Sequence, residues 1–125
     1  MYTISIDFNG TYLLCRIEGT NTADNVIHYL NDVHHAMEQH QCGKVLIKEN
    51  LSGPGLNILK MYHIIRTAKK TVLSLPHAIA YVDTNPLHDH KSLKFAEMVA
   101  INRFINMRLF TNIPDAAQWL EGASL

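Results

Sequence analysis

The residue types best suited to chemistry are concentrated in residues 49–57, which read ENLSGPGLN. Ser52 offers a hydroxyl that could be phosphorylated, and Gly53 and Gly55 leave room for a phosphate near a helix start. A nucleotide-binding loop would need a third glycine or a following Gly-Lys-Ser/Thr, and Pro54 removes one amide donor. We therefore interpret the stretch as a strand-to-helix turn, at the edge of the sheet where a site is expected.

Histidines supply a second set of candidate ligands, eight in all. His88, Asp89 and His90 place three metal-ligating side chains together before a predicted helix. Four more fall on the first predicted helix: His28, His34, His35 and His40. Neither group forms an HExxH arrangement, and a loop of solvated polar residues explains the first group equally well. We predict no metal site.

The two cysteines, Cys15 and Cys42, form neither a CxxC site nor a disulfide framework. Cys15 falls on the apolar face of a predicted strand, which is typical of an inert buried thiol. No Gly-x-Ser-x-Gly elbow surrounds Ser52. We predict no catalytic residue and no cofactor, and a reduced cytoplasmic setting.

Length and charge bound the class of protein. The 125 residues suit a single domain spanning 1–125, and eleven basic residues balance eleven acidic ones. This balance argues against nucleic-acid binding. No apolar stretch approaches the roughly 20 residues of a membrane span, and the first ten residues do not resemble a signal peptide.

The chain opens with a predicted β-hairpin. Residues 2–8 alternate between apolar and polar types, and Asn9-Gly10 is typical of a two-residue turn. Such a turn pairs Phe8 with Thr11 and places the apolar side chains of both strands on one face.

Strands and helices alternate after the hairpin. The first predicted helix follows the cap candidates at 20–22, continues to about Gln41 and is stopped by Gly43. Further helices are predicted at 56–72, at 92–103 and near 116–120, and strands at 45–47, 77–82 and 105–109. The order ββαβαβαβα predicts an α/β fold, with a mostly parallel sheet, an antiparallel N-terminal edge strand and covering helices.

This organisation resembles the SpoIIAA-like (STAS/SEC14-type) family of uncharacterised bacterial proteins, over nearly the whole chain. The residues that carry the resemblance are the Asn9-Gly10 turn, the strand leading into Leu51-Ser52-Gly53, and the ending Met107-Arg108-Leu109-Phe110 with Asp115-Ala116-Ala117-Gln118-Trp119-Leu120. The family's type member antagonises an anti-sigma factor and is switched by phosphorylation of a serine in Asp-Ser-Ser-Gly. Ser52 either occupies that position without the acidic and first serine residues, or corresponds to the serine that ends the preceding strand.

The second predicted helix is apolar around most of its circumference, and Met61 and Tyr62 suit an adaptable contact surface. STAS domains act through protein contacts, whereas the SEC14-type likeness implies an apolar small molecule. We expect a non-enzymatic regulatory or protein-interaction module, with a protein partner or a homodimer. The alternative is binding or sensing of a lipid-like ligand. The expected ligand, interaction or regulatory residues are Ser52, Gly53, Gly55, Asn57, Met61 and Tyr62.

Overall fold

The computed structural model describes the backbone of residues 1–72 and 76–125, and the side chains of that part outside residues 68–72. Its strands are β1 (Tyr2–Phe8), β2 (Leu13–Thr20), β3 (Lys44–Ser52), β4 (Ala78–Asp83) and β5 (Met107–Phe110). Its helices are α1 (Ala23–His40), α2 (Ile58–Val72), α3 (His90–Asn102) and α4 (Ile113–Gly122). The ββαβαβαβα order is confirmed.

The strands form one sheet in the order β1-β2-β3-β4-β5. β1 is antiparallel to β2, and every later pair is parallel. Because parallel crossovers are right-handed and each strand lies beside the preceding one, α1, α2 and α3 share one face of the sheet. α4 covers the opposite face, where Leu120 packs with Leu46 and Ala80. The predicted α/β class, mostly parallel sheet and antiparallel edge strand are all confirmed.

The hairpin register differs from the two-residue turn predicted at Asn9-Gly10. Phe8 is paired with Leu13 instead of Thr11, so residues 9–12 form the connection. Asn9 stabilises this longer loop, because its Oδ1 accepts hydrogen bonds from the backbone N–H groups of Thr11 and Tyr12. The register moves by two residues, which leaves every side chain on its predicted face.

The first helix ends at His40 and is capped by Gln41, so Gly43 does not end it as predicted. Gln41 takes the left-handed conformation at φ 49° and ψ 44°, and its N–H donates to the carbonyls of Met37 and Glu38. Gly43 has another role, because a Cβ there would lie 2.1 Å from the carbonyl oxygen of Pro76. The glycine is required by the close approach of two backbone segments.

Two other element bounds were predicted too short. β3 is predicted as residues 45–47, but it continues through Glu49 and Leu51 to Ser52, pairing with β2 over its whole second half. α3 begins at His90 instead of Ser92, because the side chain of Asp89 caps it by accepting from the N–H of Lys91.

Helix α2 rests on α1 and α3 rather than close against the sheet. Its inward side chains Ile64 and Ile65 belong to two separate apolar clusters, one beneath α1 and one beneath α3. A space therefore remains between this helix and the strands below it. No helix in the described part of the chain has the length and apolarity needed to cross a membrane.

Candidate ligand pocket

A cavity of about 350 Å³ occupies the space between α2 and the sheet. Its floor comes from the inward faces of β3, β4 and β5, and its walls and roof come from the three helices on that face. Most of the lining is apolar and includes Val26, Ile47, Ile64, Ile79, Ala96 and Met107. Leu87 lines the cavity yet is 85% exposed, so the opening lies beside the loop between β4 and α3.

Glu49 places a carboxyl group in the wall of this apolar cavity. It follows Val45 and Ile47 on the inward face of β3, and only 3% of its surface is exposed. The hydroxyl of Tyr29 donates to Oε2, and the hydroxyl of Tyr81 donates to Oε1 over 2.5 Å. Each carboxylate oxygen therefore has a phenolic donor, which is what allows the group to be buried.

A buried ion pair lies beside Glu49 at the carboxyl ends of the strands. Nδ1 of His88 is 2.6 Å from Oδ2 of Asp83, and both side chains are 3% exposed. Asp83 is the residue of β4 that lies opposite Glu49 in the parallel register. The cavity wall thus holds two acidic groups and one histidine within a small volume.

His88 also joins the two loops at the opening. Its Nε2 lies 2.9 Å from the carbonyl oxygen of Gly53 and 3.2 Å from the side-chain nitrogen of Asn85, while Nδ1 faces Asp83. The side-chain amides of Asn21 and Asn85 fix the surrounding backbone by donating to the carbonyls of Pro54 and Leu51. The loop after β3 is therefore tied to the loop after β4.

Burial and hydrogen bonding shift the pKa values of these groups. Burial raises the pKa of Glu49 to about 7, although the hydrogen bonds from Tyr29 and Tyr81 oppose that rise. Burial, followed by the proximity of Glu49, raises the pKa of both tyrosines well above their ordinary value, so they remain donors. Burial lowers the pKa of His88, but its bonds to Asp83 and Gly53 outweigh this and raise it overall.

The side chains of Glu49, Asp83 and His88 are of types that ligate metals, and their ligand atoms lie within 4.8 Å of one another. These atoms are already engaged: the carboxylate of Glu49 by two phenols, and Nδ1 of His88 by Asp83. A metal would have to compete with those bonds for the same atoms. The three candidate ligands at 88–90 do not come together, because Asp89 caps α3 and His90 is exposed.

The structure brings three of the six predicted site residues to the cavity: Gly55, Asn57 and Met61. Asn57 also caps α2 by accepting from the N–H of Lys60. Ser52 ends β3 and donates its hydroxyl to the carbonyl of Gly19, outside the lining. Gly53, at φ +97°, contributes its carbonyl to His88. Tyr62 lies on the outer side of α2 against Arg103, whose Nη2 donates to its hydroxyl.

Sequence reasoning missed the polar wall formed by Tyr29, Glu49, Tyr81 and Asp83. One signal was available: Glu49 continues the alternation of Val45 and Ile47, which places a carboxylate on an inward face. Its phenolic partners are 20 and 32 residues away in the chain, and no local spacing relates them. The buried thiol of Cys15 was predicted, and burial raises its pKa to about 12.

The pocket combines an apolar interior with a few converging polar groups near the carboxyl ends of parallel strands. That combination is characteristic of small-molecule sites in α/β proteins. No protein-family model matches this chain, and neither does any curated protein with which it was compared.

Proposed function

We propose that this protein binds a small, largely apolar molecule in the cavity beneath α2. The observation that carries this proposal is the cavity itself, of about 350 Å³, with apolar walls and the buried carboxyl group of Glu49. Its volume falls at the lower end of the roughly 300–1,000 Å³ found for ligand sites. We propose that this role is binding or sensing, without catalysis.

The position of the cavity supports this proposal independently of its size. It opens between the loops that follow β3 and β4, where ligands of parallel α/β sheets are usually bound. The apolar side chains of α2 that suggested a ligand from sequence, among them Met61 and Ile64, line it directly. Burying an apolar ligand against them would be favourable by about 25 cal/mol per Å².

The proposed role can be tested with a neutral fluorescent probe, N-phenylnaphthylamine, and with native mass spectrometry of protein purified from cells. We expect saturable probe binding to the natural chain and a retained small molecule in the mass spectrum. Ala100→Leu adds an isopropyl group to the cavity wall and should weaken probe binding at least tenfold.

Ala117→Leu is the matched control, because Ala117 is half-buried on α4 and packs on the opposite face of the sheet. It should leave probe affinity unchanged. Equal weakening by both substitutions, or a natural chain that neither retains a ligand nor binds the probe, would contradict the proposal.

A second role, as a regulatory interaction module with a protein partner or a second copy, is favoured by the outer surface of α2. Leu59 is 79% exposed and Ile58 is 50% exposed on this helix. Exposed apolar side chains of this kind are common at protein interfaces. Sedimentation of Leu59→Lys against the natural chain tests the self-association form, because a dimer through this surface would dissociate.

The SpoIIAA-like (STAS) assignment is likewise a proposal. The ββαβαβαβα order, the mixed five-stranded sheet and the antiparallel edge strand are all compatible with it. Ser52 occupies the end of β3, as the strand-ending serine of that family would. A cytoplasmic regulatory role in a bacterium is part of the same proposal.

A further inference from the structure

The charges around the cavity have one sign once the buried ion pair is set aside. Glu49, Asp83 and Asp89 are the acidic lining residues, and His88 is a basic one that is already paired with Asp83. No lysine or arginine occurs among the lining residues that the structure describes. An anionic head group placed beside Glu49 would therefore meet a like charge without a compensating cation.

The hydrogen-bonding capacity of the polar wall also argues against an anionic ligand. Each phenol has one proton, and Tyr29 and Tyr81 both use theirs on Glu49. What remains for a ligand is the set of unused lone pairs on the carboxylate and on the phenolic oxygens. This wall is an acceptor, so a ligand that carries its own donors complements it, and an ammonium group carries three.

The apolar part of the ligand has a defined direction. Ile47 precedes Glu49 on the inward face of β3, and Ile79 and Met107 face each other in the next two strands. These side chains lie toward the amino ends of the strands, away from the opening near Leu87. The volume of about 350 Å³ suits a small molecule, since ligand sites typically measure roughly 300–1,000 Å³.

We propose that the ligand of this pocket is an apolar primary amine, whose ammonium group pairs with the carboxylate of Glu49 while its hydrocarbon part fills the cavity beneath α2. This inference rests on the proposed function, because it specifies the chemistry of the molecule bound there. Apolar carboxylic acids of the same size are excluded by the charge of the wall, and alcohols of the same size bind more weakly.

The ionisation of Glu49 gives this inference a pH signature. A bound cation favours the ionised carboxylate and lowers its pKa from the value of about 7 that burial produces. Amine binding then releases protons near pH 7, and affinity rises as the pH rises. If only the ionised form binds, the increase is about tenfold between pH 6 and pH 8.

The groups that face Glu49 from the neighbouring elements do not reverse this rise of amine affinity with pH. They are Tyr29 from α1, Tyr81 and Asp83 from β4, and His88 from the loop before α3, while Cys15 of β2 lies beside Tyr29. The tyrosines and Cys15 stay protonated, since burial raises their pKa values. Loss of the proton on His88 at higher pH makes the wall more negative and strengthens amine binding further.

Isothermal titration calorimetry with octylamine, octanol and octanoate tests the inference with three probes of equal chain length. We expect octylamine to bind at least tenfold more tightly than the other two at pH 8. Titrations in two buffers of different ionisation enthalpy should show proton release at pH 7. Glu49→Gln should lower the ratio of amine to alcohol affinity at least tenfold, whereas Asp7→Asn, which changes an exposed carboxylate, should not.

The outcomes separate the two proposals. Binding of octanoate or octanol as tightly as octylamine would overturn the amine assignment and leave the binding function standing. The same holds if N-phenylnaphthylamine binds and none of the three probes does. Failure of all four compounds would overturn the binding function itself. Proton release is measured on the natural chain, so the amine assignment remains falsifiable even if Glu49→Gln does not fold.

Discussion

The hydroxyl of Tyr81 donates to Oε1 of Glu49 over 2.5 Å, between the inward faces of two neighbouring parallel strands. Together with the hydroxyl of Tyr29, it holds a carboxyl group that is 3% exposed inside an apolar pocket. The group is thereby placed where its charge is sensitive to pH and to whatever enters the cavity.

Removing one phenolic donor should lower the free energy of unfolding more when Glu49 is ionised than when it is protonated. Tyr81→Phe leaves a buried carboxylate with one donor fewer, which we expect to lower the free energy of unfolding by about 1–3 kcal/mol at pH 8. The loss should be smaller at pH 5, where the carboxyl group is protonated. Chemical denaturation at both pH values measures it.

Tyr2→Phe is the control for this comparison, because the hydroxyl of Tyr2 donates to the exposed carboxylate of Asp32. Its effect should stay within about 1 kcal/mol, as for other exposed hydrogen bonds. Equal losses for Tyr81→Phe at the two pH values would contradict a role in holding an ionised Glu49.

The stability of the protein should fall as the pH rises through neutrality. The pKa of Glu49 is raised from 4.5 to about 7 on folding, so the folded state binds the proton more tightly and the stabilisation is lost at higher pH. The shift corresponds to about 3 kcal/mol between pH 4 and pH 8. His88, whose pKa is also raised, contributes in the same direction.

Urea denaturation at intervals of one pH unit from 5 to 8 measures that slope. The side chain in Glu49→Gln cannot titrate, so the free energy of unfolding of this variant should depend less on pH. A natural chain whose stability rises over this interval, or a variant with an unchanged slope, would show that Glu49 is not the group responsible.

The buried ion pair should be far more sensitive than an exposed one. Asp83→Asn leaves His88 without its charged partner, and we expect a loss of about 3–5 kcal/mol. Asp7→Asn breaks the surface pair with Arg16, in which both side chains are about half exposed or more, and should cost less than about 1 kcal/mol. Thermal unfolding of the two variants at pH 6 compares them, and similar losses would refute the distinction.

Gly43 and Gly122 should respond oppositely to alanine. Gly43→Ala places a Cβ 2.1 Å from the carbonyl oxygen of Pro76, and the required backbone shift should destabilise the fold by at least about 1–3 kcal/mol. Gly122→Ala meets no atom within 4 Å at the end of α4, and should be neutral or stabilising by up to about 1 kcal/mol. Midpoints of chemical denaturation distinguish the two, and a neutral Gly43→Ala would disprove the close approach.

Sequence pattern was sufficient for the element order and the sheet, and insufficient for the hairpin register. Apolar alternation reports which face a side chain occupies, and a slip of two residues preserves the face. Phe8 opposite Leu13 and Phe8 opposite Thr11 therefore fit the same pattern. The distinction lies in the loop, where the amide acceptor of Asn9 satisfies two backbone donors at once.

The sequence predicted where the candidate site lies, but not the polar side chains that line it. Gly55, Asn57 and Met61 follow a strand end, which topology alone places near a ligand opening. Glu49 was treated as the first residue of a loop, although it lies on the inward face of β3, where a carboxylate is favourable only when donors reach it. Those donors, Tyr29 and Tyr81, come from other elements and become visible only once the chain is folded.

The strand order carries a consequence for how the molecule is made. Every strand pairs with the strand that precedes it in the chain, so each can dock as it emerges during synthesis without waiting for a later segment. The pocket cannot form strand by strand in this way. Its far wall includes Met107 and Leu109 of the last strand, so the cavity is complete only when that strand is in place.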